Sequence, residues 1–73
     1  MDAQLLEGLA DGASTDELAS RLYLSRQGIE YRVRAMFRRF GASNRTQLVA
    51  KAYSRGVLAE RDWPPKVAPD YVE

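Results

Sequence analysis

The sequence predicts an all-α domain of four helices over residues 1–58, followed by a proline-containing tail over residues 59–73. Gly12, Gly41 and Gly56 each stand just past a segment with helical periodicity, at the position where the end of a helix favours glycine. Beyond Gly56, the stretch "AERDWPPKVAPDYVE" contains all three prolines of the chain and has no helical period. This composition predicts an extended or flexible tail.

The first two predicted helices are short. Leu5, Leu6 and Leu9 form the apolar stripe of the first helix, although Gly8 within it costs about 1 kcal/mol relative to alanine. The second helix begins at "STDE", a capping-box pattern in which Ser14 and Glu17 satisfy backbone N–H groups at the helix start. Its inner face is predicted to consist of Leu18, Ala19 and Leu22.

A three-residue turn, "YLS", separates the second helix from a longer third helix, about Arg26 to Phe40. Ser25 is the predicted N-cap, and Leu24 and Ile29 have the spacing of a hydrophobic staple. Apolar residues spaced i, i+4, i+7, i+8 and i+11 predict the core face: Ile29, Val33, Met36, Phe37 and Phe40.

The fourth helix is predicted to run from Ser43 to about Arg55, with Leu48, Val49, Ala52 and Tyr53 on its inward or contact face. Val49 and Tyr53 either complete a small core or form a self-complementary patch between two copies of the chain. We favour the dimer contact, because a chain of this length buries only about 60% of the surface that its unfolded form exposes.

The composition excludes several classes of function. The absence of histidine and cysteine removes disulfides, metal centres with imidazole or thiolate ligands, and nucleophile–base pairs built on these side chains. No carboxylate or serine spacing supports catalysis, so the sequence predicts neither an enzyme nor a cofactor. No apolar run approaches the roughly 18 residues of a membrane-spanning helix, and "MDAQLLEG" lacks the basic stretch of a signal peptide. We expect a cytoplasmic protein with no membrane partner.

Charge is sorted along the chain, although the formal net charge is only +1. Residues 1–20 carry five acids and no base. Residues 21–45 carry seven arginines and a single acid, Glu30, which gives this block a local charge of +6. A basic block in a nearly neutral chain indicates an anionic partner for the middle of the protein.

The arginines of the third helix do not share one face, since successive residues are rotated by about 100°. Four residues spaced i, i+4, i+7 and i+11 lie opposite the core face: Gln27, Tyr31, Arg34 and Arg38. Arg32 and Arg39 lie on one flank, and Arg26 lies near the helix start. Two short helices joined by a tight turn, the second one basic, are typical of a helix-turn-helix.

The side chains of this face are of the types that recognise DNA bases. Glutamine, tyrosine and arginine can donate to base edges and contact thymine methyl groups, while flanking arginines can reach phosphates. The alternative is a solvated helix back whose long side chains cover apolar surface. The depletion of acids in the block and the outward position of Tyr31 favour contact with DNA.

Several motifs occur in order along the chain: "GAS" followed by "ELA", "LYLS" before the third helix, "RRFGASNRTQLV" at the junction with the fourth helix, and "RGVL" at its end. Together they resemble the DNA-binding domain of the LuxR family of bacterial transcription factors, also called GerE-like or NarL/FixJ-type. The resemblance covers about Gln4 to Leu58. It implies a four-helix domain whose third helix enters the major groove and whose fourth helix often pairs two subunits.

Carried over by position, the resemblance implies base contacts at Glu30, Tyr31 and Arg34, to which the helical wheel adds Gln27. Glu30 either accepts a hydrogen bond from a cytosine amino group or simply pairs with an arginine four residues away. The expected phosphate contacts, including one at the helix start, are Ser25, Arg26, Arg32, Arg38, Arg39 and Arg45. Gly28 stands where the family commonly has threonine, so a side chain that helps to position the helix start is absent.

The sequence therefore predicts a transcriptional regulator that binds double-stranded DNA as a dimer. The alternative is a protein-interaction module of the same fold that binds RNA polymerase or another regulator. Region four of a sigma factor also ends in a helix-turn-helix, but such domains usually stop after the recognition helix. Trp63 and Tyr71 are expected to fold back on the domain rather than bind a partner. An excised C-terminal domain and a naturally solitary reader are both open hypotheses.

Overall fold

Four α-helices form most of the computed structural model, which describes residues 1–59 and 63–69. They are α1 (Asp2–Ala10), α2 (Thr15–Leu22), α3 (Arg26–Phe40) and α4 (Arg45–Ser54). α3 packs against α2 and α4, and α1 packs against the same two helices. The described residues contain no strand, only one antiparallel bridge between Leu58 and Val67. The predicted all-α architecture of four helices is confirmed.

The two helices of the helix-turn-helix begin at the predicted caps. The backbone N–H of Glu17 donates to Ser14 Oγ at 3.1 Å, and the backbone N–H of Ser14 donates to Glu17 Oε1 at 2.9 Å. Both halves of the capping box are therefore formed. The backbone N–H of Gly28 donates to Ser25 Oγ at 3.0 Å and caps α3 in the same way. The hydrogen bonds from Ser14 lower the pKa of Glu17, the backbone N–H more than the hydroxyl.

Glycine ends the longest helix as predicted. Gly41 has a φ of 65°, in the left-handed region that a side chain disfavours. Its N–H donates to Arg38 O at 3.2 Å, and the N–H of Ala42 donates to Phe37 O at 2.8 Å. Gly12 and Gly56 also have positive φ values. The turn after α2 uses Tyr23 instead, at a φ of 56°.

The start of α4 differs from the prediction. Asn44, not Ser43, is the N-cap, and its side chain accepts a hydrogen bond from the N–H of Gln47 at 2.9 Å. The backbone N–H of Ser43 donates to Gln47 Oε1 at 2.9 Å, so Ser43 lies before the helix. Both residue types are good caps, and spacing alone did not distinguish the two neighbours.

A single core lies between the helices. The predicted leucine stripe of α1 is confirmed as buried, and so are Leu18 of α2 and Leu48 and Ala52 of α4. Ile29, Met36 and Phe40 of α3 are buried, whereas Val33 and Phe37 are half-buried and pack against the core. Other half-buried side chains around the core are Ala19, Leu22, Leu24, Val49 and Tyr53.

Gly8 is buried at the contact between α1 and α2. A Cβ at this position would overlap the Cδ2 atom of Leu18. The absent side chain thus lets the two helices approach closely, which explains a glycine inside a helix that it weakens.

The described part of the tail returns to the domain. The N–H of Ala59 donates to Lys66 O at 2.9 Å, and the N–H of Ala68 donates to Val57 O at 2.8 Å. The N–H of Val67 donates to the carboxylate of Glu7 in α1 at 2.8 Å. This segment is extended, but it is docked on the helices rather than free.

The Trp63 side chain does not pack on the domain, although the backbone of the tail returns to it. Trp63 was expected to fold back, but its side chain is 78% exposed, so that prediction is wrong. Tyr71 lies outside the described residues. Within the described parts of the chain, no helix is long and apolar enough to cross a membrane.

The capping box makes a testable contribution to stability. We expect Ser14→Ala to lower the free energy of unfolding by about 1 kcal/mol, because it removes the acceptor for the Glu17 N–H. Urea denaturation at neutral pH, followed by circular dichroism, measures the change. Ser20→Ala, at an exposed position in the same helix, is the matched control and should change stability by less than about 0.5 kcal/mol. Equal effects of the two changes would contradict the role of the cap.

Candidate nucleic-acid interface

The surface of α3 opposite the core carries four polar or aromatic side chains, which we call the outer stripe: Gln27, Tyr31, Arg34 and Arg38. All four residues are exposed. The exposed fraction is 68% for Tyr31 and 70% for the Arg34 side chain. Because α3 is capped at both ends and buried along its other face, these side chains stand on a rigid element.

Glu30 lies beside the outer stripe and pairs with two arginines. Its Oε1 atom is 3.3 Å from Arg26 Nε, and its Oε2 atom is 3.8 Å from Arg34 Nη2. Arg26 also lies 3.4 Å from Asp16 Oδ1 at the start of α2. The structure therefore forms the arginine pairs that were one of the two hypotheses for Glu30.

A second carboxylate holds the flank of α3. Asp2 Oδ1 lies 3.8 Å from Arg32 Nη1, and Asp2 Oδ2 lies 3.4 Å from Arg39 Nη1. The flank pair expected from the helical wheel is thus brought together, with an acid from the first turn of α1 between the two guanidinium groups. Sequence reasoning missed Asp2, because no local spacing connects it with α3.

Arg45 has a structural role. Its Nε and Nη2 atoms donate to Leu9 O at 3.0 and 2.8 Å, and Nη2 also donates to Ala13 O at 2.6 Å. Leu9 O lies at the end of α1, where a helix leaves backbone acceptors without intrahelical partners, and Ala13 O lies just before α2. Most of the guanidinium fork therefore faces the protein and is partly buried, and the expected phosphate contact, which stays a prediction, would compete with these hydrogen bonds.

Two further cations, which sequence reasoning did not single out, close the end of α3. Lys51 Nζ donates to Gly41 O at 2.6 Å, and Arg55 Nη2 donates to Phe40 O at 3.1 Å. The Arg55 guanidinium also lies over the Phe40 ring, 5.4 Å from its centroid. Positive charge at the C-terminus of a helix complements the helix dipole, so both side chains stabilise the end of α3.

Arg38 and Ser25 remain turned to solvent. The Arg38 side chain is exposed and has no hydrogen-bond or ion-pair partner within residues 1–59 and 63–69. Ser25 uses its oxygen as an acceptor for the α3 cap, which leaves its O–H as a donor at the exposed helix start. Both side chains can therefore reach an anion without breaking a described contact.

Val49 and Tyr53 are half-buried and pack against the core. Val49 also lines a shallow, mainly apolar groove together with Leu9, Thr46 and Ala50, beside Arg45. Completion of the core and a role in a contact surface are thus compatible at Val49.

The comparisons with known proteins identify one family. The model described as GerE, bacterial regulatory proteins of the luxR family, matches residues 2–52, which include all four helices except the last two residues of α4. Neither the curated proteins nor the solved structures contain a significant match.

The hydrogen bonds of Arg45 predict that its substitution lowers the stability of the fold even when the positive charge is kept. We expect Arg45→Lys to lower the free energy of unfolding by about 1–3 kcal/mol, since lysine lacks the Nε donor to Leu9 O and the planar fork that holds Nη2 between the two carbonyls. Arg38→Lys is the matched control and should change stability by less than about 0.5 kcal/mol. Denaturant unfolding measures both variants. Unchanged stability of Arg45→Lys together with weaker duplex binding would contradict the structural role and support a phosphate contact at Arg45.

Proposed function

Because the chain belongs to the luxR family of bacterial regulatory proteins, we propose that it regulates transcription by binding double-stranded DNA and reading its sequence with α3. The observation that carries this proposal is the outer stripe, and Tyr31 above all. A large aromatic ring that is 68% exposed, with Arg34 and Arg38 on the same face, gains little from water. It gains contact area when a partner covers it.

The dimensions of α3 suit the major groove. Its 15 residues span about 22 Å, and the groove is about 12 Å wide, enough to admit a helix. Arg34 has the fork geometry for a guanine edge, and Gln27 has the donor and acceptor for adenine. Tyr31 supplies apolar contact to a thymine methyl group and a hydroxyl for a phosphate or base edge. Glu30 is a further candidate for base contact, in competition with its arginine partners.

Phosphate contacts would fix the position of α3 on the duplex. Arg38 and Ser25 are the first candidates, since neither must exchange an ion pair to reach an anion. Arg26, Arg32 and Arg39 are the second group, since each already pairs with a carboxylate.

Dimerisation through α4 is the finer part of the proposal. The apolar groove beside Val49 supports a contact between two copies, and such a contact would place two α3 helices on a two-fold site. Tyr53 lies one helical turn further along α4 and would extend the contact.

A protein partner is the second candidate function, and Trp63 favours it. Trp63 is 78% exposed on a tail segment that one hydrogen bond, from Val67 to Glu7, joins to α1. Tryptophan is enriched among the residues that dominate binding at protein interfaces. RNA polymerase or another regulator would then be the partner.

Selection from random duplex DNA tests the two candidates. The proposed function predicts enrichment of a sequence motif and an affinity that falls steeply with salt, because each neutralised phosphate releases counterions. Equal affinity for every duplex would refute sequence reading. No duplex binding at low salt, with stable binding to a protein partner, would favour the second candidate.

We expect alanine substitutions at Arg34 and at Arg38 to weaken DNA binding in different ways. We expect Arg34→Ala to cost about 1–3 kcal/mol on the selected site and to relax the preference at one base pair. Arg38→Ala should weaken selected and random duplexes alike and reduce the salt slope by about 1. Fluorescence anisotropy titrations on both duplexes at several salt concentrations measure these changes. An identical, sequence-independent loss in both variants would remove Arg34 from the base contacts.

The dimer contact is tested at an exposed residue of the groove. We expect Ala50→Glu to shift the protein to monomer and to weaken binding to a two-fold site, because it places a charge in an apolar contact. Sedimentation velocity measures the association state, and circular dichroism verifies the helical content. A wild-type protein that is monomeric at high concentration and on DNA would contradict dimerisation.

A further inference from the structure

Two carboxylates, Glu30 and Asp2, each pair with two arginines of the basic block. Glu30 pairs with Arg26 and Arg34 within α3, at the i, i+4 spacing. Asp2 reaches from α1 to pair with Arg32 and Arg39, which are two helical turns apart. The Asp2 contact is the one that the tertiary fold creates, because 30 residues or more separate it from its partners.

The chemistry of the Asp2 contact is that of a phosphate site. A guanidinium group binds carboxylate and phosphate oxygens through the same N–H fork. Two guanidinium groups that converge on one carboxylate therefore define a place where an anion is favoured. The place is occupied by an acid of the chain itself.

The three side chains of the Asp2 contact are exposed to solvent, so another anion can replace the carboxylate. The exposed fractions of the Arg32, Arg39 and Asp2 side chains are 41%, 43% and 37%. Ion pairs this exposed are weak, since water and salt screen them. A DNA phosphate can therefore displace the carboxylate, but the negative charge of Asp2 stays within a few ångströms and reduces the gain.

We propose that Asp2 limits the affinity of the protein for DNA by competing with phosphate groups for Arg32 and Arg39. This inference rests on the proposed function, and it assigns to α1 a role in setting the strength of DNA binding. Phosphate contacts carry no sequence information, so the limit acts equally on the selected site and on random duplexes. Asp2 therefore sets the affinity without changing the preference for one sequence over another.

The test compares Asp2→Asn with a control of equal charge. Asp11 is exposed just after α1, and it has no ion pair within the described residues. Asp11→Asn therefore adds the same net charge without freeing an arginine. Binding of the selected duplex and of a random duplex of the same length is titrated by fluorescence anisotropy at several salt concentrations.

We expect Asp2→Asn to tighten binding to both duplexes by the same factor, on the order of three- to tenfold at low salt, and to steepen the salt slope by up to about 1. Asp11→Asn should change either affinity by less than about twofold. In a background of Arg32→Gln with Arg39→Gln, the gain from Asp2→Asn should disappear, because its competitors are absent. Thermal unfolding verifies that each variant is folded.

Three outcomes overturn the inference. Equal gains from the two asparagine variants would mean that only net charge matters. Weaker binding by Asp2→Asn would mean that the carboxylate positions the arginines for phosphate. A gain that persists in the double glutamine background would place its cause elsewhere. In each case the wild type still binds duplex, whereas a wild type that binds no duplex at low salt refutes the proposed function itself.

Discussion

The contact of Arg45 with two backbone carbonyls connects the parts of the domain that the chain order keeps apart. Arg45 is the first residue of α4, and its acceptors, Leu9 O and Ala13 O, lie at the end of α1 and before α2. One side chain thus ties the start of α4 to the junction of the first two helices. Since α3 packs between α2 and α4, this contact also limits how α3 can be tilted, and the outer stripe depends on that orientation.

The lysine and arginine side chains of residues 21–55 fall into three groups. Arg45, Lys51 and Arg55 satisfy backbone carbonyls and stabilise helix ends. Other arginines pair with acids at the rim of the fold. Among the arginines of the outer stripe and flank, only Arg38 faces solvent with no side-chain partner within the described residues. A count of +6 over residues 21–45 therefore overstates the charge available to a ligand, although it correctly marks the helix that carries it.

Sequence predicted what depends on short spacing. The helix bounds of α3, the caps at Ser14 and Ser25 and the turn at Gly41 all involve residues within about four positions of each other, and all were confirmed. The core stripe followed from the helical period for the same reason. The contacts of Arg45 and Asp2 and the docking of Val67 on Glu7 escaped prediction, because each contact joins residues at least 30 positions apart. A helical wheel places a side chain on a face but does not show which distant group meets it.

Glu30 forms local ion pairs and is also a candidate for base contact. Its spacing to Arg26 and Arg34 predicted ion pairs, and the structure forms both, yet the same position resembles a base-contacting site. The two roles are coupled, because the Arg34 fork that would bind a guanine edge is partly engaged by the Glu30 carboxylate. If Arg34 binds a base edge as proposed, Glu30 Oε2 loses its partner and can accept from a neighbouring cytosine, while Oε1 keeps its contact with Arg26. The two residues should therefore act as one unit, and the energetic effects of changing them should not add.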